Sequence, residues 1–80
     1  MPRYFFHVHD GQASPDLEGT ELPDLEAARR QAVDTAGLTL RESQARPREG
    51  LPWRMEVADG SGAILFVLHV SIQPPPPRET

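Results

Sequence analysis

The residues best suited to chemistry in this chain are its three histidines. His7 and His9 stand two apart in the run RYFFHVHDG, and His69 lies in a second apolar run, ILFVLHVSI. On a β-strand, residues two apart share a face and lie about 6.5–7 Å from each other along the chain. Two imidazoles at that spacing can converge on one ion, at roughly 2.0–2.1 Å per Zn–N bond. His69 becomes the third ligand if its strand lies beside the first, and Glu56 or Asp10 can add an oxygen. Three imidazoles plus a water make a site for zinc, or for another divalent transition metal, with a hydrolytic role. The competing reading ranks first. H-x-H is far less specific than paired CxxC motifs or HExxH on a helix, and histidine packs readily on half-buried strands with its tip in water. Imidazole also titrates near neutral pH, so clustered histidines can make an interface pH-sensitive.

No other residue set announces a reaction. Ser14, Ser43, Ser61 and Ser71 lack a G-x-S-x-G context. Thr20, Thr35 and Thr39 have no evident base beside them. The chain has no cysteine, which excludes thiol chemistry, thiolate metal sites and disulfides, and which fits a reducing compartment. The acidic stretch DGQASPDLEG departs from the spacing of a calcium loop and reads as a solvated turn. No glycine motif that cradles phosphate is present. The expectation is a non-enzymatic protein with no cofactor, metal binding being the alternative.

Eighty residues make one domain with a small core. The formal charge is −4, a poor match to a polyanion, so no nucleic acid is expected as a partner. Arg41, Arg46, Arg48 and Arg54 gather around one loop, and Asp10, Asp16, Glu18, Glu21, Asp24 and Glu26 fill the first third. Both groups read as solvated surface. No basic segment leads into an apolar run at the start, and no stretch reaches the roughly 18 apolar residues of a membrane span. A soluble cytoplasmic protein is expected.

These side chains need elements to position them. Arg3 to His9 is rich in aromatic and β-branched residues and predicts a strand ending at the turn Asp10-Gly11. A short second strand is expected near Gly19 to Leu22. Asp24 then offers a carboxylate to the free N–H groups of a helix start, and Glu26 adds charge at the positive end of its dipole. Leu25, Ala28, Ala32, Ala36 and Leu40 recur at helical spacing. The alanines leave little bulk, so that face should lie close on a sheet. The helix ends at Gly37 or continues to about Ser43. QARPREGLP is a loop, WRMEVADG alternates as a strand, and Asp59-Gly60-Ser61-Gly62 signals a hairpin into AILFVLHVSI. The domain covers residues 1–73. Residues 74–80 form a disordered proline-rich tail, extended because consecutive prolines lack N–H donors.

The fold class is α+β. One helix packs on a three- or four-stranded antiparallel or mixed sheet, a two-layer sandwich in β-β-α-β-β order. Alternation sets Tyr4, Phe6, Val8, Trp53, Met55, Val57, Ile64, Phe66, Leu68, Val70 and Ile72 against the helix. The other face holds Phe5, His7, His9, Arg54, Glu56, Leu65, Val67, His69 and Ser71. One helix covers one face, so Phe5, Leu65 and Val67 are the interface candidates, with the histidines nearby.

The segments MPRYFFHVHDG, DLEGTELPDLEAARRQA and WRMEVADGSGAILFVLHV resemble a family of short alphaproteobacterial proteins defined as a domain of unknown function. The resemblance spans Pro2 to about Ile72. It carries a Tyr-Phe-Phe strand, a D-x-x-G-x-x-L approach, an alanine-rich helix and a W-x-x-x-V strand. It implies a compact α+β domain and transfers no activity or site residue. The entry into the helix, EGTELPDLEAARRQAVDTA, is similar to the same part of HicB-type antitoxins, which bind a toxin and often DNA. This chain lacks their appended DNA-binding segment, so that resemblance implies an antitoxin-like regulator with a protein partner. The leading expectation is a bacterial interaction or regulatory module that forms a homo-oligomer, such as a homodimer, through the open sheet face or an edge strand.

Overall fold

The structure, a computed structural model, describes residues 1–42 and 53–77. The expected loop QARPREGLP, with Arg46 and Arg48, lies outside the described residues, as do Ser43 and the last three residues of the tail. In chain order the elements are β1 (Arg3–His9), β2 (Ala13–Ser14), β3 (Thr20–Glu21), α1 (Leu25–Glu42), β4 (Trp53–Ala58) and β5 (Ile64–Val70). Every strand pairing is antiparallel, and the main path across the sheet runs β2-β1-β4-β5. One helix on an antiparallel sheet is the expected α+β class.

The register keeps the two faces apart. Phe6 lies opposite Val57 and Val8 opposite Met55. Met55 faces Leu68, and Val57 faces Phe66. These residues, with Tyr4, Trp53 and the helix alanines, form the core, in which Trp53, Met55 and Val57 are fully buried. Ala28, Ala32 and Ala36 are buried as well. Their methyl groups let α1 approach the sheet backbone closely, and the helix packs on β4. The helix starts as its sequence dictates. The Asp24 carboxylate accepts from the N–H of Ala27 at 2.8 Å, and the Asp24 carbonyl accepts the first helical bond from Ala28. Gly37 does not stop the helix, because its position is open and α1 runs on to Glu42.

Two residues placed in the core by alternation are not there. The register slips between Val57 and Ala58, which sets Ala58 opposite Ile64, and Ile64 stays 49% exposed. Ile72 lies past the end of β5 and is 52% exposed. The hairpin between β4 and β5 is held by Asp59. Its carboxylate accepts from the N–H and hydroxyl of Ser61 and from the N–H of Ala63, while Gly62 takes a positive φ of 89°. Those bonds from Ser61, with the smaller ones from Ala63 and Gly62, hold the Asp59 carboxyl below its ordinary pKa.

Candidate functional site

Two places on the molecule are built from the residues singled out by the sequence. One is the open face of the sheet, and the other is the rim of β5. Between Asp10 and Leu22 the chain folds back along β1, and this strap determines what the histidines can do.

The strap is fastened through Asp16. One carboxylate oxygen accepts the N–H of Phe6 at 3.1 Å, and the other accepts those of Glu18 and Gly19. The Asp16 N–H in turn donates to Nδ1 of His7 at 3.0 Å. Desolvation pushes the Asp16 carboxyl up, but the donors from Gly19, Phe6 and Glu18, with the charge of His7, outweigh it and hold it below its ordinary value. Gly19 passes so close to β1 that a Cβ there would sit 2.8 Å from both Arg3 Cγ and Phe5 Cε2, at a φ of +73°. Arg3 closes the far end by donating to the Glu18 carbonyl and pairing with Glu21. Sequence reasoning treated Asp16 as solvated surface and did not foresee β2. The D-x-x-G spacing was the available signal, a carboxylate three residues before a glycine whose N–H it accepts.

The histidines divide between two strands that do not touch. His7 stacks on Phe5, with ring centroids 6.4 Å apart, and its Nδ1 is taken by the strap. His9 Nε2 lies 3.0 Å from Glu56 Oε1, and the second Glu56 oxygen accepts from Arg54 Nε at 3.3 Å. Desolvation raises the Glu56 carboxyl, but the Arg54 hydrogen bond and the charges of His9 and Arg54 overcome it, so its pKa lies below the usual one. A shallow cleft of about 270 Å³ lies over His7, His9 and Glu56, walled by Ala13 and Pro15 of the strap. His69 is elsewhere. It lies across β4, opposite Arg54, because β4 separates β1 from β5. Two strand spacings amount to about 9.5 Å, so the neighbouring strands that three-histidine ligation needs are not the ones the chain forms. Among the described residues, no group of three or more His, Asp or Glu is placed to hold a metal ion.

The apolar candidates are split in the same way, with β4 between Phe5 and the other two. Phe5 is half-buried on β1, whereas Leu65 and Val67 on β5 are 39% and 38% exposed. β5 ends the sheet path, so its outer side pairs with no strand among the described residues. Which backbone groups point outward follows from the strap. Strand N–H groups alternate between the two sides. Phe6 turns its N–H toward Asp16, so Phe5, His7 and His9 turn theirs toward β4. Carried through the register, which is regular from Phe66 to Val70, Phe66, Leu68 and Val70 bond to β4, and Val67 and His69 present their N–H and carbonyl groups outward.

A family model described as a domain of unknown function, DUF6894, matches residues 3–71. The chain belongs to this family. The match runs from the first residue of β1 to the residue after β5, so the DUF6894 domain is the whole sandwich together with the strap. No curated protein and no solved structure matches the chain. No described helix is long and apolar enough to cross a membrane.

Proposed function

We propose that this DUF6894 chain is a non-enzymatic interaction module that self-associates through the β5 side of its sheet. The observation that carries this reading is the unequal treatment of the two sheet edges. The outer edge of β1 is covered by β2, β3 and the Asp16 carboxylate, whereas β5, apolar but for His69, pairs with no further strand among the described residues. Edge strands of soluble domains are usually blunted by Lys, Pro or an inward charge. β5, ILFVLHV, has none of these. The exposed Ile64, Leu65 and Val67 lie along it, and because half or more of each is already covered, burying the remainder contributes about 1 kcal/mol apiece. A homodimer in a bacterial cytoplasm suits the absence of cysteine, and a different protein as partner for the same rim is the antitoxin-like variant of the reading.

Native mass spectrometry of the untagged chain, with and without zinc, tests it. The expected result is a metal-free dimer that Val67→Glu converts to monomer. A wild-type monomer at all concentrations would refute self-association. One metal per chain, lost in His9→Ala, would instead favour chemistry at the cleft over His7, His9 and Glu56.

A further inference from the structure

Granted the self-association just proposed, an irregularity in β5 restricts how two copies can meet. We propose that they pair antiparallel through Phe66–Val70, with the extra residue at Leu65 as the stop and the two-fold axis at Leu68.

The argument starts from the bulge. Ala58 faces Ile64 and Val57 faces Phe66, so Leu65 has no partner on β4. From Phe66 to Val70 the ladder is regular, each residue lying opposite one of β4 from Val57 back to Trp53. Within that stretch Phe66, Leu68 and Val70 bond to β4, and Val67 and His69 turn their N–H and carbonyl groups outward. The bulge interrupts pairing at one end and the strand stops after Val70 at the other. A second strand therefore finds unbroken pairing only between these limits.

Facing residues of an antiparallel pair share a sheet face, so a two-fold axis falls on a residue and not between two. An axis at Leu68 uses the whole regular stretch. It sets Val67 against the partner's His69, where the outward groups of each meet those of the other. An axis at Val67 would bring the bulge against the partner's His69. An axis at His69 would carry Val67 past the end of the partner's strand.

Two further observations support this register. The helix packs on β4, and Phe66, Leu68 and Val70 stay only partly buried at the margin of the core. The axis sets Leu68 on the partner's Leu68 and Phe66 on the partner's Val70, so each margin covers the other. The charges beside β5 also agree. β5 itself holds no Asp, Glu, Lys or Arg, while on β4 Glu56 lies opposite Val67 and Arg54 opposite His69. The Leu68 axis aligns Glu56 with the partner's Arg54. Axes at Val67 or His69 align like charges instead. Across three strand spacings, about 14 Å, the effect is small, but its sign is favourable.

The first test is residue-resolved amide exchange on the wild-type chain, with its mass measured in the same buffer. Phe66, Leu68 and Val70 are protected by β4 in any state. In the expected dimer Val67 and His69 are protected to a similar degree. Fast exchange at those two amides in a protein that is dimeric by mass overturns the edge pairing and leaves self-association standing. A monomer at every concentration overturns both. The register is read by disulfides in a chain without cysteines of its own. A disulfide needs Cα atoms within about 7 Å. About the Leu68 axis Val67 faces the partner's His69, whereas two copies of either residue lie about 8 Å apart. A mixture of Val67→Cys and His69→Cys chains should therefore give about fivefold more oxidised dimer than either variant alone. Equal yields, or a maximum with Val67→Cys alone or His69→Cys alone, would overturn the Leu68 axis.

Discussion

The β1 edge and the β5 edge belong to one sheet and meet opposite fates. Along β1 the chain doubles back, and where two short strands leave a gap a carboxylate accepts the stray N–H of Phe6. Along β5 nothing among the described residues covers the ladder groups, and the side chains are apolar. A small domain has few residues to spare for covering an edge, and the described residues that do so lie on one side. The self-association proposed above rests on this difference more than on any single side chain.

The comparison can be broken most severely at Asp16. Replacing it with alanine leaves the N–H groups of Phe6, Glu18 and Gly19 without their acceptor, and should cost about 3 kcal/mol of stability in urea unfolding. The same carboxylate makes the fold acid-sensitive. Its folded pKa lies below its ordinary 3.8, so its contribution is complete above that value and is lost as the pH falls through the lowered folded one. The gap between wild type and Asp16→Ala should therefore narrow in acid, and a constant gap from pH 6 to pH 2 would argue against the role. Gly19→Ala should cost about 2 kcal/mol through its positive φ and the close atoms of Arg3 and Phe5, and a neutral effect in thermal melts would contradict the tight strap.

At the other edge, Val67→Glu should leave the monomer folded and weaken association at least tenfold, about 1.4 kcal/mol, as read by sedimentation across a concentration series. The smallest effect is expected at His7. Phenylalanine there keeps a ring beside Phe5 but removes the acceptor for the Asp16 N–H, for a loss of about 1 kcal/mol with dimer mass unchanged. A change in oligomeric mass with His7→Phe would show that the two edges are coupled.

Much of the fold was legible because it rests on local rules. Alternation placed Tyr4, Phe6, Trp53, Met55 and Val57 inside, Asp24 announced the helix, and DGSG announced the hairpin. The exceptions have physical causes. Ile64 escaped the core because the register slips beside Ala58, an extra residue in the strand that breaks the alternation without any mark in the order of apolar letters. The parity of the three histidines was visible, but strand order was not, and order is what sets β4 between His9 and His69. Asp16 was hardest to read. Its distant partners are the backbone of Phe6 and the ring of His7, about ten residues away, and a backbone N–H has no letter of its own.

Under the proposed self-association, the strap also sets stoichiometry. A unit with one adhesive rim has a valence of one, so its assembly stops when that rim is used. A unit with two rims can add copies without limit. Under the pairing proposed above, the β1 edge closed by Asp16 and Gly19 makes each copy a chain terminator as well as a partner. Loosening them would turn a pair-former into a monomer for polymerisation, visible as fibrous or high-mass material in a variant whose own fold is only modestly weakened.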